Sequence, residues 1–213
     1  MKKQNVSDAV IRRLPRYYRY LDDLHLKGIV RISSGTLGEK MGITASQIRQ
    51  DLSCFGEFGQ QGYGYNVERL RAEIAAILGM DRGHTAVILG VGNLGRALMK
   101  NFSFRKNGFT LVAGFDVAPA KVGSIQEGLP IYHVDELEGF IAKHPVSVGI
   151  LTLPNSAAKA IACRLEQAGV KGIWNFTNME LSVDNPSVRV ENVHFADSLL
   201  TLSYLISGGE ASI

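Results

Sequence analysis

The stretch Thr85 to Leu98, TAVILGVGNLGRAL, narrows the possible folds more than any other part of the chain. A short apolar run meets three glycines in the pattern G-x-G-x-x-G and passes at once into helix-forming residues. The run has the length of a buried strand. The glycines allow what side chains would forbid: Gly90 a tight turn, Gly92 close approach of a pyrophosphate to backbone, and Gly95 close packing of helix on strand. A second strand, in TLVAGFDV, ends on Asp116, 21 residues after Gly95. At that spacing a carboxylate can accept hydrogen bonds from the hydroxyls of an adenosine ribose. The helix that opens at Asn93 and Leu94 presents free N–H groups and a partial positive charge to phosphates. The candidate dinucleotide residues are therefore Gly90, Gly92, Asn93, Leu94, Gly95, Asp116 and the adjoining Val117. Asp116 would repel a 2′-phosphate, which favours NADH and NAD+ over the phosphorylated cofactors. Another adenine nucleotide or coenzyme A in the same crevice is the neighbouring alternative.

After residue 81 strand-like runs alternate with helix-like segments: TAVILGV, TLVAGFDV, VSVGILTL and KGIWNF, with NSAAKAIACRLEQAG between the last two. That alternation predicts an α/β domain, a parallel sheet with helices on both faces, over residues 81–195. The segment LTLP closes the third strand, so Thr152 and Pro154 are candidates for the nicotinamide side of the crevice. Pro154 equally suits the start of a helix. The end of the chain, HFADSLLTLSYLISGG, reads as an amphipathic helix and tail over 196–213.

The first 80 residues have another texture. Val10, Leu14, Tyr17, Tyr18, Leu21 and Leu24 recur at helical intervals, with Ser7 as cap, Gly28 as stop, and Pro15 predicted to kink or split the helix. Ser34 caps a short helix over Thr36 to Met41 that Gly42 ends, and Thr44 caps another through ASQIRQDLSCF. Two short helices joined by a glycine-containing turn are a helix-turn-helix. The glycine-rich GEFGQQGYGY that follows reads as a hairpin or wing. NVERLRAEIAAILGM is one more helix, and DRGH the linker. On the second helix of the pair, Arg49 suits bidentate contact with guanine, and Gln47 and Gln50 suit adenine. Ser46 and Ser53 could reach phosphates. In the wing, Gly62 lets backbone enter a groove, and Tyr63 or Tyr65 could pack on sugars. Charge agrees: residues 1–80 hold 12 Lys+Arg against 8 Asp+Glu, and residues 81–213 hold 11 against 12. The basic third faces a polyanion on this reading, although a solvated basic face would have the same balance.

Other classes recede. No run approaches the roughly 20 apolar residues of a membrane span, and the basic N-terminus lacks a signal-peptide core, so a cytoplasmic protein is expected. Cys54 and Cys163 are the only two cysteines and are spaced for neither zinc nor a disulfide. No metal is expected. A dehydrogenase needs an acid or base at the nicotinamide. Of His25, His84, His133, His144 and His194, only His194 is plausibly near the ligand. No Tyr-x-x-x-Lys pair occurs, and little chain remains for a substrate domain. The nucleotide reads as a signal and the chain as no enzyme; a small NAD-linked oxidoreductase with a helical dimerisation cap is the alternative from another class.

Six segments together, RLPRYYRYL, SSGTLGEKMGITASQIRQDLSCFGEFGQQGYGY, VILGVGNLGRAL, FDVAPAKVG, LTLP and GIWNF, resemble the Rex family of bacterial redox-sensing transcriptional repressors over essentially the whole length. The resemblance implies an N-terminal winged helix, a C-terminal Rossmann domain, and a homodimer in which each C-terminal helix crosses to the partner. It also implies binding to palindromic operator DNA when NADH is low and release when NADH binds. Phe195 matches the residue that reaches toward the partner's nicotinamide. Three positions depart from the family. Gln50 stands where a Lys or Arg usually follows the recognition arginine. Asn101 stands for a tyrosine late in the first Rossmann helix, and His194 for an aspartate before the last helix. The family's aspartate pairs with an arginine of the N-terminal helix; Arg19 keeps that position, but an Arg19–His194 pair is not the usual ion pair. A repressor of the same fold with altered ligand or redox discrimination is therefore a further expectation.

Overall fold

A computed structural model describes residues 6–56, 58–60 and 63–207. The chain divides into two compact units, Met1–Arg82 and Gly83–Ile213, so the boundary falls inside the DRGH segment.

In the N-terminal unit, α1 (Asp8–Leu26) is one helix of 19 residues. Pro15 does not split it. The N–H that Pro15 lacks would have bonded the carbonyl of Ile11, and Ile11 is exposed, so water can take its place. Val10, Leu14, Tyr17 and Leu21 bury one face. A short strand, β1 (Arg31–Ile32), precedes α2 (Ser34–Met41) and α3 (Ala45–Ser53). The cap of α2 is Ser33, one residue before the expected Ser34, and its Oγ accepts from Thr36 N at 3.0 Å. Gly42 ends α2 in the left-handed region at φ 68°, and Thr44 caps α3 as its sequence suggests, accepting from Gln47 N at 3.1 Å. Strands β2 (Gly59–Gln60) and β3 (Gly64–Asn66) form the wing hairpin. The sheet order is β1-β3-β2, antiparallel throughout. Helix α4 (Val67–Ile77) packs along α1. This is a winged helix-turn-helix.

One polar side chain lies inside that unit. Asp51, on α3, is fully buried. Its carboxylate accepts from Arg13 Nε at 2.6 Å, Arg13 Nη2 at 2.8 Å, Gln47 Nε2 at 2.7 Å and the Tyr17 hydroxyl at 2.9 Å. A buried charge is tolerable only when so satisfied. Burial opposes ionisation, yet the Arg13, Gln47 and Tyr17 donors hold the carboxyl below its ordinary value. Burial, then the bond to Asp51, pushes the Tyr17 phenol up. The network pins α3 to α1 across 38 residues of sequence.

The C-terminal unit is a seven-stranded sheet in the order β10-β9-β8-β4-β5-β7-β6. Its strands are β4 (His84–Leu89), β5 (Phe109–Asp116), β6 (Ile125–Gln126), β7 (Leu129–His133), β8 (Val148–Leu151), β9 (Gly172–Asn175) and β10 (Arg189–Asn192). All neighbours run parallel except β6 with β7. Helices α5 (Asn93–Asn101), α6 (Leu137–Lys143) and α7 (Asn155–Gln167) connect them. Val87, Leu89, Phe115, Leu151 and Leu165 are among the buried residues on one face; Ala86, Ile88 and Ile150 are among those on the other. The order reverses at β4, whose neighbours are β5 and β8, which puts a crevice at their carboxyl ends. The last element, α8 (Phe195–Ile206), is assigned to this unit, yet none of its residues is buried.

Asp51→Leu should cost the N-terminal unit about 3 kcal/mol, because Arg13 and Tyr17 lose their shared acceptor; urea unfolding measures this. The Asp51 pKa is depressed on folding, so its contribution is complete above the ordinary carboxylate value and is lost as pH falls through the folded one. The acid limb of the wild-type stability curve should therefore be steeper than that of the variant.

Candidate functional site

At the crevice of the C-terminal unit, Gly90 has φ +95°, and a Cβ there would lie 2.5 Å from the Thr152 carbonyl oxygen. At Gly95 a Cβ would lie 2.2 Å from the Gly90 carbonyl oxygen and 3.0 Å from Thr152 Oγ1. Both glycines are thus required by close packing of backbone. Gly92 differs: it caps α5 in an extended conformation, and a Cβ there would meet nothing within 4 Å. The room beside Gly92 opens outward, where a pyrophosphate would approach the first N–H groups of α5. Asn93 opens the helix with its side chain exposed and bonded to Arg96 at 3.2 Å. Leu94 turns into the core beside Leu98, so only its backbone N–H is available to a ligand.

Asp116 is nine-tenths buried at the end of β5. Oδ2 accepts from Val91 N and from Lys121 Nζ, both at 2.8 Å, and Oδ1 accepts from Ala118 N at 2.9 Å. Burial works against its charge, but Lys121 and the two N–H groups prevail and keep its pKa below the ordinary value. The carboxylate therefore stays ionised and keeps one lone-pair site, on Oδ1, to accept from a ribose hydroxyl. Val117, next in sequence, is 66% exposed and free to lie against a base.

The Thr152 hydroxyl is engaged within the protein. Its Oγ1 donates to the Gly90 carbonyl at 2.7 Å and lies 3.2 Å from that of Leu89, bracing the glycine turn from β8. Pro154 is exposed and immediately precedes α7, where Ala157 N bonds its carbonyl at 3.0 Å. Asn101 does not join the cradle. It ends α5, eight residues from Asn93, roughly 12 Å along the axis at 1.5 Å per residue. Phe195 begins α8, 56% exposed, its ring centroid 6.0 Å from that of Phe176. His194 Nε2 lies 2.8 Å from Glu180 Oε2. Glu180 in turn accepts from Asn192 Nδ2 at 3.0 Å, and Asn192 Oδ1 accepts from the buried Asn175 at 2.8 Å. Arg19 stands exposed on α1, in the other unit.

In the N-terminal unit, Ser46, Arg49, Gln50 and Ser53 are exposed and fall at i, i+3, i+4 and i+7, a single stripe on α3. The Arg49 Nη1 donates to Ser34 Oγ at 3.0 Å, which braces its guanidinium from α2. The Ser53 hydroxyl donates to the Gln50 carbonyl at 2.8 Å. Two expectations change. Gln47 is half-buried and its amide serves Asp51, so it supports the helix and is not a free adenine reader. Tyr65 is 7% exposed, packed in the core, because on β3 it points opposite to its half-buried neighbours Gly64 and Asn66; it cannot lie on sugars. Tyr63, at the wing tip, is 68% exposed. Gly62 lies outside the described residues.

Sequence reading missed Asp51, Lys121, Glu180 and Arg31. Lys121 sits five residues from Asp116, a spacing that could have suggested the contact. Asp51 likewise lies four residues from Gln47 on α3, but its partners Arg13 and Tyr17, and those of Glu180 and Arg31, are brought to them only by the fold. Among the described residues no cluster of three His, Cys, Asp or Glu could hold a metal, and no helix is long and apolar enough to cross a membrane.

Comparison with known proteins follows the same division. A family profile described as a CoA binding domain matches residues 81–179, and one described as a putative DNA-binding protein N-terminus matches residues 5–53. The chain is similar to the redox-sensing transcriptional repressor Rex of Clostridium beijerinckii, 48% identical over 210 residues and 99% of each chain. The Rex of Caldicellulosiruptor saccharolyticus is 51% identical over 206 residues, 97% of this chain and 94% of that one. Among solved structures, RSP in complex with NAD+ and operator DNA superposes with a TM-score of 0.89 at 47% identity, covering 98% of this chain and 100% of that one. RSP in complex with NADH gives 0.90 at 46% identity, covering 97% of each.

The two glycines separate binding from folding. Gly92→Ala should leave the melting temperature unchanged and weaken dinucleotide binding by roughly tenfold or more, about 1.4 kcal/mol. Gly95→Ala should lower both. Titration calorimetry alongside thermal melting distinguishes them.

Proposed function

The chain belongs to the Rex family of redox-sensing transcriptional repressors, and from that membership we propose how its parts divide the work. It is a DNA-binding repressor that responds to the NADH/NAD+ ratio, bound to operator when NADH is low and released when NADH binds. The nucleotide is a signal and not a co-substrate, since its relatives are repressors. The observation that carries this reading is the presence, in one chain, of an exposed Ser46-Arg49-Gln50-Ser53 stripe on a helix-turn-helix and of a glycine cradle beside an ionised Asp116.

The geometry supports the following division of residue roles. Arg49 addresses a base edge in the major groove, with Gln50 beside it. Ser46 and Ser53 meet phosphates, and Tyr63 meets the backbone at the wing. Gly90, Gly92, Gly95 and the N–H groups of Asn93 and Leu94 hold the pyrophosphate, while Asp116 takes a ribose hydroxyl. NADH and NAD+ differ in charge and hydrogen at the nicotinamide, and that difference is the signal. Phe195 approaches that end of the cofactor; its exposure in the first turn of α8 supports this role.

The working unit is a homodimer on a palindrome, its two recognition helices roughly 34–36 Å apart, one helical turn of DNA. Seven large apolar residues of α8, Phe195, Leu199, Leu200, Leu202, Tyr204, Leu205 and Ile206, are each at least half exposed, which supports a partner-covered helix exchanged between protomers. A protein that works on operator DNA belongs in the cytoplasm.

One observation favours a second reading, a repressor with altered redox discrimination. His194 is engaged by Glu180, a partner within its own unit. If that contact replaces the family's ion pair, NADH and NAD+ need not be told apart in the usual way.

Both readings meet in a fluorescence-anisotropy titration on a palindromic duplex at fixed salt. Release by NADH at concentrations where NAD+ has little effect is the expected result; equal release by both would establish the second reading. Arg49→Ala should lower operator affinity by about 1–3 kcal/mol while leaving dinucleotide binding unchanged.

A further inference from the structure

The wing carries no positive charge of its own. From Phe55 to Asn66 the sequence contains no Lys or Arg, and Glu57 adds a negative charge. A hairpin of that composition is poorly suited to a polyanion. The fold brings a cation to it from elsewhere. In β1, Ile32 points inward, 7% exposed, so Arg31 points out. Register pairs Arg31 with Asn66 and Ile32 with Tyr65, which sets Arg31 at the base of the wing. Its Nη1 donates to the Tyr63 carbonyl at 3.3 Å, and its Cζ lies 5.8 Å from the centroid of the exposed Tyr63 ring. Gly64, with φ +67°, permits this approach: a Cβ there would lie 2.4 Å from the Ile32 carbonyl oxygen, so only glycine lets β3 lie so close to β1.

We propose that Arg31 is a DNA-contacting residue, supplying the wing with the charge its own sequence lacks. The proposal rests on the repressor reading above. Tyr63 aligns the guanidinium by one hydrogen bond and by its ring face, leaving most of the five-donor fork for phosphate oxygens along the groove that the wing follows. A wing cation of this kind adds affinity with little sequence preference, because phosphates carry none.

The test compares wild type, Arg31→Gln and Arg31→Lys on one palindromic duplex across a salt series, with NADH binding and thermal melting as controls. For Arg31→Gln the slope of log K against log salt should fall by about 0.9, one phosphate contact. Affinity near physiological salt should fall roughly three- to tenfold, with NADH binding and melting unchanged. Arg31→Lys should keep the slope and bind with intermediate affinity, because the charge remains while the alignment by Tyr63 is lost. Wild-type binding with the same slope and affinity in Arg31→Gln would overturn the inference alone. Failure of the wild type to bind any palindrome would overturn the repressor reading and the inference with it.

Discussion

A carboxylate taken out of water must find its hydrogen bonds in protein, and each unit of this chain is built around one that does. Asp51 receives four, from Arg13, Tyr17 and Gln47, and is fully buried. Asp116 receives three, from Val91, Ala118 and Lys121. Removal of any donor leaves a charge without full compensation, so the donors cannot wander. In the first unit this sets the roll of α3 about its axis. With Asp51 and Ile48 directed inward, Arg49 and Gln50 are left outside. In the second unit the Val91 N–H bond ties the glycine turn to the end of β5, so the pyrophosphate cradle and the ribose acceptor are held as one piece. The same physics orients both sites.

Much of this was legible beforehand, because the signals were local. Helical periodicity placed α1, α3 and α4, and two of the caps, Thr44 and Gly42, behave as their chemistry requires. The glycine pattern and its following aspartate announced the cradle. What escaped was long-range or short. Strand β1 has two residues and β6 has two, too few for any pattern to register. Tyr65 and Tyr63 look alike in sequence, and on a regular strand their spacing would put them on one face; but Tyr63 lies in the turn before β3, and Gly64, at φ +67°, breaks the alternation, so only Tyr65 is buried. Gln47 looks like a base reader because nothing local reveals that Asp51, one turn away, is turned inward to Arg13 and Tyr17 and claims its amide. Thr152 sits at the correct strand end for a ligand contact, yet the glycine turn is so close that its hydroxyl is committed to Gly90.

The last helix shows the limit of reading a chain as a monomer. Helix α8 follows the last strand as its pattern suggests, but an amphipathic helix should bury its apolar side, and this one buries none of its residues. Apolar surface of that kind is stable in water only when something covers it. A palindromic operator already demands two copies of α3 at a fixed separation. A helix exchanged between protomers would meet both demands with a single element, making the spacing of the recognition helices a property of the interface that α8 forms.

That arrangement bears on how a small redox difference could move a protein off DNA. A ligand shifts a conformational equilibrium only by its difference in affinity for the two states. Nothing in the pyrophosphate cradle or at Asp116 distinguishes NADH from NAD+, because those groups are the same in both. Discrimination must arise at the nicotinamide, and on the proposed reading the first turn of α8 would offer Phe195 there, with His194 immediately before it. His194 is joined through Glu180 and Asn192 to Asn175 at the carboxyl end of β9, so the root of α8 and the edge of the sheet share one hydrogen-bonded chain. An element that approached the variable end of the cofactor and also set the dimer interface would be where differential affinity is converted into spacing. On the proposed reading the cradle would give binding strength, and the root of α8 the sign of the response.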